Sequence, residues 1–216
     1  MDAQQPAGLV GAERWLRRLD PRLVLRPGQA APDLLRVAVN DARWILRTTA
    51  REAAGVPEKT PQVVWTRGAS ELLVRLDGIG MACAPGLVTV FVAVACDQLP
   101  DGASVPVQFG VGTPEKATGL VMSTFSRPAG PEVVVDAWAK ELTAFALESL
   151  LRLAGTLCAA VGRDATGKPL VPATLGADHE TLLVQPMARH QPTRLTPPAR
   201  VVRAVAAVPK RDGLGP

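Results

Sequence analysis

Residues 132 to 162 read EVVVDAWAKELTAFALESLLRLAGTLCAAVG, the longest unbroken helical pattern in the chain. At 100° per residue, Ala139, Leu142, Ala146, Leu150, Leu153, Leu157 and Val161 fall on one arc, and Leu147, Leu151, Ala154 and Cys158 widen it to roughly half the circumference. A helix with so broad an apolar face has to be covered. Glu148 and Arg152 stand mid-run, four apart and acid first, an order that supports a helix in water and that hydrocarbon would penalise. The stretch therefore predicts the core helix of a folded domain rather than a membrane span.

Upstream of this helix the period is two. VVWTR, ELLVRLD, GIGMACA, LVTVFVAVACD, VPVQFGVG and GLVMSTFS, between residues 63 and 126, are β-rich runs separated by breaks at Gly68, Gly78, Pro85-Gly86, Asp101-Gly102 and Thr113-Pro114. Connections this short force antiparallel neighbours, because a parallel return needs a crossover of about a dozen residues. Leu87–Cys96 is apolar on both alternating faces, so it belongs at the centre of the sheet, covered on each side.

Further toward the N-terminus two helices are expected. Residues 7 to 20 place Leu9, Ala12, Leu16 and Leu19 on one side, with Arg14, Arg17 and Arg18 elsewhere, and Asp20-Pro21 ends the pattern. A second helix is predicted from Pro32 to about Ala54, with Asp33 in its first turn and Gly55 as a left-handed stop. Its seam would be Leu35, Val39, Ala42, Leu46 and Thr49, broadened by Leu34, Ala38 and Ile45. Beyond Gly162, RDATGKPLVPATLGADH reads as a turn-rich loop and ETLLVQPM as one more strand.

The expected fold is α+β: an antiparallel meander of five to seven strands, packed by a long C-terminal helix and preceded by two N-terminal helices. The predicted organisation is an N-terminal helix and linker over 1–30, one α+β domain over 31–190, and a basic Pro/Arg-rich tail over 191–216. At 216 residues such a domain can bury a core without a metal or disulfide staple. With four Trp, four Phe and no Tyr, that core must come from Val, Leu and Ala. The net charge of +4 is uneven, at +3 over residues 1–60, −3 over 61–190 and +4 over 191–216. An acidic partner is expected to meet the ends rather than the middle.

Cys83, Cys96 and Cys158 show no CxxC spacing and lie in apolar runs, the pattern of buried reduced thiols in a cytoplasmic protein. No basic start followed by an apolar h-region marks a signal peptide. Asp178-His179-Glu180 offers three ligand types in a row, but consecutive side chains diverge and a surface turn is expected. His190 opens the tail. Ser123, Thr124 and Ser126 have no G-x-S-x-G elbow. Gly110–Pro114 and Ala165–Pro169 resemble phosphate loops only in composition, since neither precedes a helix that could present free amides. No cofactor, metal or catalytic residue is assigned.

The sharpest constellation is Arg36, Arg43, Arg47 and Arg51, within about 80° of one another if all lie on the second helix. Arginine suits carboxylate or phosphate recognition because its planar fork donates two bonds at once. Trp44 flanks this ridge and Trp15 lies among arginines; burial in helix seams is the simpler reading of both. In the tail, Arg194, Arg200, Val201, Val202, Arg203 and Val205 combine charge with an apolar stretch too short to fold alone. These ten residues are the candidate partner-binding set.

The first reading is a non-enzymatic structural or interaction protein, one subunit of a larger assembly such as a virion, tail-like or other particle, in the cytoplasm or assembled there. Its partners would be other protein subunits, in a homo- or hetero-oligomer, with no membrane. A second reading is an apolar small-molecule binder or cavity enzyme of helix-over-sheet type, lined by Met81, Met122, Phe91 and Phe109. A third is nucleic-acid binding through the arginine ridge and tail.

Overall fold

The computed structural model describes residues 34–116, 119–120, 122–123, 127–188 and 202–204, with side chains left out at 122–123 and 202–204. The expected helix over 7–20, Trp15, Thr124, Ser126, His190, Arg194, Arg200, Val201 and Val205 lie outside the described residues.

Strand β1 (Leu35–Ala38) leads directly into helix α1 (Val39–Ala54), followed by β2 (Gln62–Arg67), β3 (Ser70–Ala84), β4 (Leu87–Cys96), β5 (Leu99–Gly110) and the short β6 (Met122–Ser123). Helix α2 (Glu132–Val161), β7 (Leu170–Asp178), β8 (Thr181–Ala188) and β9 (Val202–Ala204) complete the order. The fold is α+β with antiparallel strand pairing and helices packed on the sheets. Instead of one meander there are two sheets, one of six strands in the order β6-β5-β4-β3-β2-β9 and one of three in the order β1-β8-β7. After β5 the chain crosses between them, where Gly112 N–H donates to the Leu175 carbonyl and Ala177 N–H to the Gly112 carbonyl, both at 2.9 Å.

Three expectations are corrected here. Residues 35–38 do not begin the second helix; they pair with Val184–Thr181 of β8, Leu35 and Val37 facing the core and Arg36 and Ala38 facing out. Both helix and strand bury two apolar residues in this stretch, and the waiting edge of β8 decides for the strand. The segment after Gly162 is not a loop throughout, because Leu170–Asp178 forms β7 against β8. The breaks at Gly78 and Asp101-Gly102 do not end strands. ELLVRLD and GIGMACA are one strand with a bulge between Arg75 and Gly80, and β5 runs through Gly102.

Both irregularities have a steric reason. A Cβ on Gly78 would stand 2.6 Å from Ala93 Cβ, so only glycine lets the bulge lie this close to β4. Gly102 has φ +80°, the left-handed region, and its Cα faces the Val94 carbonyl so closely that a Cβ would come to 2.7 Å. The Gly55 stop is as expected: φ is 69° and its N–H bonds back into the last turn of α1.

The long helix is where the sequence places it. Val134, Trp138, Leu142, Phe145, Ala146, Leu150, Leu153, Leu157 and Val161 are buried along it. Its polar side carries Arg152, whose Nε and Nη2 donate to Glu148 Oε1 at 3.2 and 3.0 Å. By length and apolarity α2 would suffice to cross a bilayer, with mean hydropathy 1.5 over its richest window, yet half of that window is buried inside the fold. It lies against α1, β4, β5, β7 and β8, while α1 lies against α2 and β3. The two helices meet where Thr49 and Ser149 are both essentially inaccessible. Thr49 Oγ1 there donates to the Ser149 carbonyl at 3.0 Å, with the Leu46 carbonyl at 3.2 Å as its other acceptor. Both carbonyls keep their helical partners without it, so Thr49→Val is expected to cost only about 0.5–1.5 kcal/mol, read as a shift in the denaturant midpoint at unchanged slope.

Candidate interaction surface

Three of the four arginines expected on one ridge do share it. On α1, Arg43, Arg47 and Arg51 all turn toward β3. Arg43 Nε donates to the Met81 carbonyl at 2.6 Å and Arg47 Nε to the Ile79 carbonyl at 3.2 Å. Arg51 Nε donates to the Thr60 carbonyl at 3.0 Å, and its Nη2 pairs with Asp77. Asp77 and Ile79 belong to the bulge, whose residues step out of the ladder with β4. Arg47 thus supplies a donor to the backbone the sheet leaves irregular, Arg43 to the carbonyl just beyond it, and Arg51 to the Asp77 side chain within it. Arg36 is not among them; it is exposed on β1 opposite Leu183 of β8.

Trp44 does not enter a seam. It lies opposite the buried side of α1, is 54% exposed, and has the Arg47 guanidinium 5.3 Å from its ring centroid. Three other aromatics form a buried cluster: Trp65 of β2 meets Phe145 of α2 edge-on at 5.3 Å and Trp138 at 6.4 Å.

The cysteines sit in or beside the core. Burial pushes the Cys158 thiol up to about 12 and the Cys83 thiol up to about 11, the latter against a lowering pull from Arg43. At neutral pH both are protonated thiols rather than nucleophilic thiolates.

His179 is exposed at the turn between β7 and β8, its backbone N–H donating to the Asp178 carboxylate at 2.8 Å, and Glu180 beside it takes φ 51°. The Glu180 carbonyl caps α1 by accepting the Val39 N–H at 2.8 Å. Ala165–Pro169 closes a turn on Asp164, whose Oδ1 accepts the Thr166 and Lys168 N–H groups at 3.0 and 2.7 Å. Desolvation opposes ionisation of Asp164, but these amides, the Thr166 hydroxyl and the Lys168 charge outweigh it and hold the carboxyl below its usual range. Among the described residues no group of three or more His, Cys, Asp or Glu is placed to hold a metal ion.

The cavity reading gathers fewer residues than expected. Met81 and Phe109 are fully buried in the core, while Phe91 is half-buried on the opposite face of the same sheet. Met122 falls in β6, where side chains are not described.

That opposite face carries the feature the sequence reading missed. Val64, Leu73 and Ala95 form one lateral row across β2, β3 and β4. With Glu71, Cys96, Asp97 and Pro100 they line an open hollow of about 360 Å³. Its floor is apolar, and both carboxylates stand exposed at its rim. The row continues onto the tail: β9 pairs antiparallel with β2, setting Val202 opposite Trp65, Arg203 opposite Val64 and Ala204 opposite Val63. Comparison with protein-family models, with curated proteins and with solved structures finds no match to this chain. The surface therefore has to be read from its own chemistry.

The candidate residues thus divide into two groups. Arg43, Arg47 and Arg51 meet on β3, and Val202 and Arg203 lie on the β2 edge at the end of a row that leads into the hollow. The missed residues had a signal. Val64 and Leu73 alternate with the buried Val63, Trp65, Leu72 and Val74, so they point away from the helices and still are apolar.

Proposed function

We propose that the protein is a non-enzymatic structural or interaction protein, a subunit of a larger assembly such as a virion, tail-like or other multi-subunit particle formed in the cytoplasm. It contacts neighbouring protein subunits, in a homo- or hetero-oligomer, through its N-terminal segment and its basic C-terminal tail. The observation that carries this reading is the pairing of tail residues Val202–Ala204 with the edge of the six-stranded sheet, next to an open apolar hollow with an acidic rim. A basic tail that adds a strand to a sheet edge is a binding element, since the backbone ladder gives affinity and the flanking side chains give register. In the apolar outer row, the half-buried Val64 and Leu73 add a surface that association would bury.

Arg43, Arg47 and Arg51 lend less to a contact with an external ligand, because each has donors committed to the chain's own backbone. The nucleic-acid reading, which leans on the same guanidinium groups, loses support for that reason.

Multi-angle light scattering on the full chain and on a chain ending at Ala188 tests the proposal. The full chain is expected to run as an oligomer at tens of micromolar and the shortened chain at a lower mass, with far-UV circular dichroism showing both folded. A full chain that stays monomeric at high micromolar concentration, unchanged by the truncation, refutes it.

A further inference from the structure

The edge of β2 looks like a site for exchange rather than a permanent closure. β2 has six residues, and β9 pairs with only the three from Val63 to Trp65. Three ladder pairs are a short contact by the standard of strands in globular proteins. The thirteen residues 189–201 separate β8 from β9. At about 3.3 Å per extended residue they span up to ~40 Å, enough to reach a neighbouring subunit. Charge points the same way: the central body carries −3 and the tail +4, so a tail is attracted by any body, its own or another. At the site itself, Arg203 sits in register with the floor of a hollow whose rim bears Glu71 and Asp97.

We propose that the β2 edge and the adjoining acidic-rimmed hollow form a strand-addition site whose occupant is the strand Val202–Ala204 of a second copy of this chain. The identity of the occupant rests on the assembly reading above. The strand supplies backbone hydrogen bonds along Val63–Trp65, and the acidic rim attracts the net positive charge of the tail that carries it. Reciprocal exchange between two copies gives a closed two-fold dimer, the low-cost outcome when identical elements change places.

The test uses the full chain. A benzophenone amino acid placed at position 64 of unlabelled protein, mixed with a ¹⁵N-labelled copy and irradiated, is expected to yield crosslinked peptides joining position 64 to labelled residues 202–204. Crosslinks confined to the unlabelled chain's own tail, or to other regions of the partner, overturn the proposal. In parallel, Val202→Pro removes a backbone donor from β9, and is expected to weaken association at least tenfold by light scattering while the melting temperature of the body moves little. Glu71→Lys combined with Asp97→Lys is expected to weaken it by about tenfold at low salt, with a smaller effect at high salt. Undiminished association in Val202→Pro shows that the chain assembles by another surface, which sinks the strand site but leaves the assembly reading standing. A full chain that never associates sinks both.

Discussion

Trp65→Ala is expected to lower the stability of the domain by about 3–5 kcal/mol, the range for deleting a large aromatic from a packed core. For a chain of this length that amounts to a fall in melting temperature of roughly 6–20 °C, measurable by circular dichroism. Trp65 is only 6% exposed. Its ring meets Phe145 edge-on, at 81° between planes, and lies tilted at 47° to Trp138, so it ties β2 to the first half of α2. Such pairs contribute about 0.5–1.5 kcal/mol beyond the area they bury. Trp65→Phe, which keeps an aromatic face toward Phe145, is expected to lose less than half as much. If Trp65→Ala melted within 2 °C of the parent, the aromatic cluster would not be holding β2 to α2.

How far this architecture could be read from sequence differs element by element. The long helix was legible because thirty residues of continuous apolar periodicity fit no other structure, and its observed bounds, Glu132–Val161, are those the pattern gives. The strands between Gln62 and Gly110 were legible as strands, since alternation and β-branched residues coincide there. Their joins were not. Gly78 and Gly102 look like turn residues, and in the fold they let one strand pass close to another, a distinction that depends on Ala93 and on the Val94 carbonyl far from them in sequence. Residues 35–38 became a strand because β8, nearly 150 residues later, presents an edge for them. For the candidate site the arginine spacing on α1 was readable, whereas the acceptors were invisible, being backbone carbonyls at Thr60, Ile79 and Met81, in or near a bulge that no side-chain pattern encodes. The hollow was missed because its row crosses three strands, and registering them needs the turns.

The arginine ridge supplies the second large effect, and its sign separates a structural role from a partner-binding one. Arg43 and Arg47 each place Nε against a β3 carbonyl, at Met81 and Ile79, while their aliphatic stems lie half-buried between α1 and the sheet. A hydrogen bond from a charged donor contributes about 1.5–3 kcal/mol, and removing the donor leaves a part-buried carbonyl without its protein partner. Because the two stand one turn apart on α1 and reach carbonyls two residues apart on β3, their losses are coupled rather than additive, and Arg43→Leu with Arg47→Leu is expected to destabilise the domain by more than either change alone and by up to about 6 kcal/mol. Arg36→Leu, on the exposed side of β1, is expected to stay within about 0.5 kcal/mol of the parent. Urea unfolding of the three proteins distinguishes the cases. Were the ridge a surface held ready for a partner, the double variant would keep its stability and lose only association. The geometry calls for the reverse: a domain much easier to unfold, because α1 has lost two of its bonds to β3.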